Sequence, residues 1–189
     1  GLTPARISCE TCVAHRFIEM MRQVEDFGAD LLVLGQHGEL DEPVRRIGSL
    51  AIKCVRKAPC QVLLVDERHE DPYGDVIAAV DFSENSREAL YEAAEICRCD
   101  SATLHIIHVH YPPWIHFMND MGHLHGVTSQ DEMRYRQSLD REFKSFLTHF
   151  HDGFDDVPVK VSSIEKPSNA AGILSYVEET NADLVVMGT

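Results

Sequence analysis

The chain has 189 residues, of which 44% are hydrophobic and 25% charged. These proportions exclude wholesale disorder and suffice to bury one core or two small ones. With 17 Lys and Arg against 31 Asp and Glu, the formal net charge of -14 argues against a nucleic-acid backbone or an anionic membrane as the main partner, while a nucleotide held by backbone amides remains compatible. No apolar run approaches the roughly 20 residues of a membrane span, and the N-terminus lacks a charged-then-apolar signal pattern, so the expected location is the cytoplasm.

In chain order, residues 13–27 read as an amphipathic helix and the apolar run 31–35 as a strand. A helix over 47–57 places Ile47, Leu50, Ala51, Cys54 and Val55 on one side, and 61–65 forms the next strand. Glu67 to Gly74, charged and broken by Pro72, reads as a linker. A strand at 76–80 follows, then a helix at about 85–98 with a capping box from Asn85 to Glu88. Beyond it come a strand at 103–109, an irregular stretch, a long helix near 130–150, a strand at 158–163, a helix at 169–180 and a strand at 183–187. Apolar strands alternating with helices demand a parallel sheet covered on both faces, a doubly wound α/β architecture whose ligands sit at the carboxyl ends of strands.

An internal repeat organises these elements. Ala29-Asp30-Leu31-Leu32-Val33-Leu34-Gly35 recurs as Ala182-Asp183-Leu184-Val185-Val186-Met187-Gly188, and Pro4-Ala5-Arg6-Ile7-Ser8 answers Pro158-Val159-Lys160-Val161-Ser162. The two ends of the chain therefore read as equivalent pieces of two consecutive copies of one domain. Residues 1–66 would be the C-terminal half of the first copy, 67–75 the linker, and 76–189 the N-terminal part of the second.

Directly after the strand at 31–35, Gly35-Gln36-His37-Gly38 is followed by nine residues and then Gly48-Ser49. Glycine lets a backbone approach an anion closely, and the unpaired amides of a helix N-terminus offer donors and a positive partial charge. This pattern points to a phosphate cradle. Glu39, Asp41 and Glu42 place three carboxylates in the same loop, answered only in part by Arg45 and Arg46. Repulsion between unit charges at about 4 Å is about 4 kcal/mol near a protein surface, so a divalent cation or outward-facing carboxylates are required.

These residues resemble the universal stress protein family, whose adenine-nucleotide loop has the pattern Gly-x2-Gly-x9-Gly-Ser/Thr. Gly35, Gly38, Gly48 and Ser49 match it, and Ala58-Pro59-Cys60-Gln61-Val62-Leu63-Leu64-Val65 resembles the family's final strand. Val76-Ile77-Ala78-Ala79-Val80-Asp81-Phe82-Ser83 resembles its first strand with the aspartate that contacts the nucleoside, and Leu104 to Val109 its second, ending at the valine that packs on adenine. The resemblance implies a Rossmann-like, adenine nucleotide alpha hydrolase-like fold with a five-stranded parallel sheet. It also implies ATP, with magnesium, as the ligand of Gly35, Gly38, Gly48, Ser49, Asp81, Val109 and Gly188, the last being the counterpart of Gly35. In bottom-up terms Asp81 has two open readings, acceptor for ribose hydroxyls and cap of the following helix. Copy one carries the loop without the aspartate, and copy two the reverse. Each site is then completed either by residues of a longer tandem protein or by the two halves assembling as a permuted domain, within or between chains.

The expected role is that of a cytoplasmic stress-response module regulated by adenine nucleotide. The implied partners are a second copy of the domain or a homodimer paired through the edge at 61–65, and an unidentified protein. No Walker-type lysine follows the glycines and no nucleophilic motif is present, so the chain is not expected to be an enzyme beyond slow ATP hydrolysis. Alternatives are a non-nucleotide interaction protein with a vestigial loop, and a metal-responsive regulator using the histidine-rich stretch. There His116, His123 and His125 are the candidate ligands, whereas His105 and His108 fall on opposite faces of one strand. Tyr111 to Met118 reads as aromatic cover for the sheet edge, and Met133, Leu139, Phe143, Phe146, Leu147 and Phe150 as the core face of the long helix. Cys9 and Cys12 have redox-motif spacing, with two turn residues as the plainer reading, and the six cysteines are expected to be reduced.

Overall fold

A computed structural model describes residues 7–36, 47–66, 71–111, 128–150 and 154–189. They belong to two compact units, Gly1–Glu70 and Asp71–Thr189.

The first unit contains α1 (Arg16–Phe27), β1 (Leu31–Gly35), α2 (Ser49–Lys57) and β2 (Gln61–Val65). Gly28 ends α1 in the left-handed region at φ 59°, where its amide reaches back to Glu25; a residue without Cβ adopts this conformation at little cost. The strands β1 and β2 run parallel, with Leu31 opposite Gln61 and Gly35 opposite Val65. Val24, Ala51 and Cys54 are buried. Ile47, read above as part of the apolar helical face, is 47% exposed, because the helix starts at Ser49 and Ile47 precedes it.

The second unit contains β3 (Asp75–Ala79), α3 (Glu84–Asp100), β4 (Thr103–His110), α4 (Ser129–Thr148), β5 (Val159–Glu165), α5 (Asn169–Thr180) and β6 (Leu184–Met187). Its sheet has the order β5-β4-β3-β6 with every pairing parallel. The side chains of Val76, Ala78, Val80, Leu104 and Ile106 form one core with Leu90, Ala93, Ala94 and Cys97 of α3 and Phe143, Phe146 and Phe150 at the end of α4. Each buried aromatic ring contributes about 2–3 kcal/mol relative to leaving it in water. The opposite face carries His105, Ile107 and Val109 toward α5.

The parallel α/β architecture is present, the described strands forming one sheet of two and one of four; three other expectations need correction. Because β6 repeats the sequence of β1, the pair β1–β2 and the order β5-β4-β3-β6 overlap at that one strand, and each unit forms only the part whose strands it holds. The strands are not all covered on both faces: Leu31 and Val33 of β1 are 47% and 51% exposed. The cap of α3 is Ser83, whose side chain accepts from the Ser86 amide, while Asn85 lies inside the helix. A Thr128–Asp131 capping box instead opens α4, and Met133 of that helix is 56% exposed, because only its C-terminal half reaches the core.

Candidate functional site

In the first unit the glycine loop leaves the carboxyl end of β1 and returns at the start of α2. Its ends are tied together: the Gln36 amide donates to the Val65 carbonyl at 3.0 Å, and the Gly48 amide donates to the Gln36 carbonyl at 2.9 Å. Gly48 occupies the N-cap position with φ -59° and ψ 143°, and among the described residues no side chain caps the helix. Intrahelical bonding begins with the Ile52 amide on Gly48, so the amides of the first turn have no acceptor within the helix. A Cβ at Gly48 would meet only the Gln36 carbonyl oxygen, at an ordinary 3.7 Å. Neither strain nor crowding among the described residues calls for glycine there. Gly35 and Ser49 lie on the exposed rim of this loop. Gly38, the acidic Glu39, Asp41 and Glu42, and Arg45 and Arg46 lie outside the described residues.

The second unit brings Asp81, Val109 and Gly188 to the carboxyl ends of three neighbouring strands, β3, β4 and β6. Asp81 sits at a sharp corner. Phe82 follows at φ 66°, and the Asp81 Oδ1 accepts from both the amide and the hydroxyl of Ser83. The Ser86 hydroxyl, in a side chain buried to 2% exposure, accepts from the Asp81 amide and donates to the Ser83 carbonyl. The Ser83 hydroxyl bond, opposed in part by desolvation, holds the Asp81 carboxyl below the usual carboxylate range. Asp81 is thus ionised at neutral pH and turned toward solvent, bracing the cap residue instead of capping the helix itself.

Gly188 lies so close to α3 that a Cβ would stand 2.5 Å from the Asn85 carbonyl carbon and 2.7 Å from the Ser86 nitrogen. Asn85 Nδ2 donates to the Thr189 carbonyl at 2.6 Å and fixes the same corner. Val109 packs against Gly172 on α5: a Cβ at position 172 would come within 2.4 Å of one Val109 methyl and 2.7 Å of the other. Sequence reasoning missed Gly172 and the bracing role of Ser83. The signal for the latter was present, since Ser83 stands three residues before Ser86 and two after the aspartate.

The histidines divide as strand alternation requires. Nε2 of His105, buried to 1% exposure, contacts Asp75 at 2.7 Å, and Nδ1 contacts the Tyr176 hydroxyl at 3.1 Å. On the other face His108 Nδ1 donates to the Val80 carbonyl at 2.8 Å, and its ring stacks on Phe82 at 4.1 Å. His116, His123 and His125 lie outside the described residues, as does the aromatic segment after Tyr111. Among the described residues, no group of three or more His, Cys, Asp and Glu side chains is placed to hold a metal ion, and no helix is long and apolar enough to cross a membrane. The described cysteines are free thiols. Cys12 precedes α1 by several residues instead of opening it, and its thiol is pushed up by desolvation and by the Glu19 carboxylate, the reverse of an activated thiol.

Parallel strands with helices between them and loops gathered at the strands' carboxyl ends define the doubly wound α/β class. Comparison with known proteins narrows it. The sequence profile of the universal stress protein family matches residues 9–66 and 72–189, and the chain belongs to that family. Universal stress protein A homolog 1 from Coxiella burnetii is 27% identical over 124 residues, covering 62% of this chain and 76% of that protein. Two solved structures from Pseudomonas aeruginosa share the fold. One is a putative universal stress protein at 23% identity and a TM-score of 0.62, covering 90% of this chain and 56% of that one. The other, a protein of unknown function, has 22% identity and a TM-score of 0.63, covering 92% of this chain and 57% of that one. The chain thus spans a little over half the length of these two structures.

Proposed function

We propose that the chain is part of a tandem stress-response module of the cytoplasm that binds ATP with magnesium and changes its domain pairing or conformation when it does so. Residues 1–66 are the later half of one copy and 76–189 the earlier part of the next. The phosphates lie on the amides around Gly35, Gly38 and Gly48 and on the Ser49 hydroxyl. In the second copy Asp81 receives the ribose, Val109 backs the base, and Gly188 begins that copy's own phosphate loop. The observation that carries this reading is Gly48: it has a negative φ, has no side chain with which to cap the helix, and a Cβ there would not be crowded by any of the described residues, so neither backbone strain nor packing among them accounts for glycine and a phosphate against the backbone would. The ionised, outward-turned Asp81 supports the ribose assignment.

In the sequence no Walker-type lysine follows the glycines, so in this reading nucleotide acts as a regulatory ligand and hydrolysis is at most slow. Pairing with a second copy runs along β2, whose second edge has no partner among the described residues. The test is calorimetric titration with ATP and magnesium of the parent chain and of Gly48→Asp. Aspartate is a better helix N-cap than glycine and suits the helix dipole, so the variant should be as stable as the parent or more so by a few tenths of a kcal/mol. The same carboxylate repels phosphate, and binding should weaken by more than tenfold. Equal ATP affinity in the two proteins would remove the phosphate assignment.

A further inference from the structure

Three histidines stand on β4, and their ring nitrogens are provided for unequally. His105 is bonded through both nitrogens and His108 through Nδ1. His110, which shares the His108 face by strand alternation, has its Nδ1 buried with no hydrogen-bond partner. Its ring lies within 13° of parallel to that of His108, centroids 6.1 Å apart, and meets the Tyr135 ring of α4 edge to face at 5.9 Å. A neutral imidazole tolerates such a place by carrying its one proton on Nε2. An imidazolium carries a proton on both nitrogens, and at Nδ1 that proton would be buried without an acceptor. The groups around the ring pull in both directions. Burial acts most strongly and pushes the His110 titration down, helped by His108 beside it and by Arg136 of α4, and opposed by Glu165, its register partner on β5, and by Asp140 of α4. The turn after β3 adds the uncharged Phe82 ring, stacked on His108.

Tyr135 belongs to the half of α4 that stands clear of the core, where Met133 is 56% exposed. Contacts that hold this half down gather at the end of β4. The Tyr135 hydroxyl donates to the Tyr111 carbonyl at 3.0 Å, Arg136 pairs with Glu165 at 3.2 Å, and the Tyr135 ring rests on His110. Both partners of the ion pair are exposed, which makes it weak, and a segment with few buried contacts opens locally at low cost.

We propose that His110 is a pH-sensitive latch: while neutral it seats Tyr135 and with it the first half of α4, and on protonation its ring turns Nδ1–H out to water, unseats Tyr135 and frees that half of the helix. The Phe143 end stays in the core. The opened state exposes an ordinary histidine and takes up a proton more readily than the closed one, so acid favours opening. The closed state is at full strength above the ordinary histidine value of about 6.5. It weakens as pH falls through that value and stops weakening below the lower value of the closed state. The latch lies within the second unit and does not depend on the nucleotide reading.

The experiment compares amide hydrogen exchange at about pH 7.5 and about pH 5.5, either side of the ordinary histidine value, after correction for the intrinsic effect of pH on exchange. It uses the parent chain and His110→Phe, which keeps a flat ring against Tyr135 and cannot titrate. In the parent, protection over residues 129–136 should fall severalfold on acidification while protection around Phe143 and Phe146 holds. In His110→Phe the fall should be absent. A fall of the same size in folded His110→Phe, no fall in the parent, or a uniform fall along α4 would overturn the proposal. The parent alone gives a second answer where the variant folds poorly. Followed by NMR, the His110 ring and the amides of residues 129–136 should titrate with one common midpoint below the ordinary histidine value. Asp131 of the same turn is held low by the Thr128 hydroxyl and titrates further down. A His110 midpoint at or above the ordinary value, or helix amides that follow a different midpoint, would equally overturn it.

Discussion

Three glycines that look alike in the sequence have three different physical reasons. Gly188 is required by packing, Gly28 by a left-handed backbone, and Gly48 by neither among the described residues. The contrast predicts opposite outcomes. Gly188→Ala should cost about 1–3 kcal/mol, as overpacked positions do, read as a lower denaturant midpoint, whereas substitution at Gly48 should alter ligand binding with stability kept. Asp81 supplies a second residue-scale prediction. Its carboxyl is held low chiefly by the Ser83 hydroxyl, so the stability it lends is present above the unfolded carboxylate value of about 3.9 and is lost as pH falls through the lower folded value. Ser83→Ala should lose about 1 kcal/mol of capping, and the Asp81 titration, followed by NMR, should move up toward the ordinary range. A titration unchanged by the substitution would mean that Ser83 is not what holds it.

The helices and strands were legible because their apolar spacing is regular. The errors fell where tertiary contacts decide. Asn85 has the sequence spacing of a cap, yet the turn through Phe82 at φ 66° starts the helix at Glu84 and hands the cap to Ser83. Met133 has the helical spacing of a core residue, yet α4 meets the sheet core with Phe143 and Phe146 near its C-terminus, joined by Phe150 just beyond it. The exposed N-terminal half of α4 should depend on its own capping box, in which the Thr128 hydroxyl and the Asp131 side chain serve each other's backbone amides. Thr128→Ala should therefore cost about 1 kcal/mol, with hydrogen exchange accelerated in the first turns of α4 and little changed around Phe143. Uniform loss of protection along the helix would contradict this division.

At the scale of the molecule, the glycine loop and the repeat pointed to the family, and the repeat also read the two ends as pieces of different copies, with the strands divided between them; which strands pair, and in what order, was not legible, since pairing depends on which neighbours a strand finds. The pairing of His105 with Tyr176 and the contact of Val109 with Gly172 were equally hidden, because residues far apart in the chain meet only through the crossing of α5 over β4. Net charge gives a prediction for the whole. Under the proposed function, a chain at -14 that received the phosphates of ATP beside Glu39, Asp41 and Glu42 would need a cation between them unless those carboxylates face outward. Chelating magnesium with EDTA should weaken ATP binding by at least tenfold at low ionic strength, and by less as added salt screens the repulsion. An affinity indifferent to magnesium would place those carboxylates away from the phosphates.

The most direct test of the nucleotide assignment is the content of the protein as purified. Freshly purified chain is denatured and the released small molecules are separated and quantified against protein concentration. The account predicts adenine nucleotide in the released fraction for the parent chain and a marked loss of it for Gly48→Asp prepared in parallel. A folded parent chain that releases none, and that takes up none when incubated with ATP and magnesium before the same measurement, would contradict it.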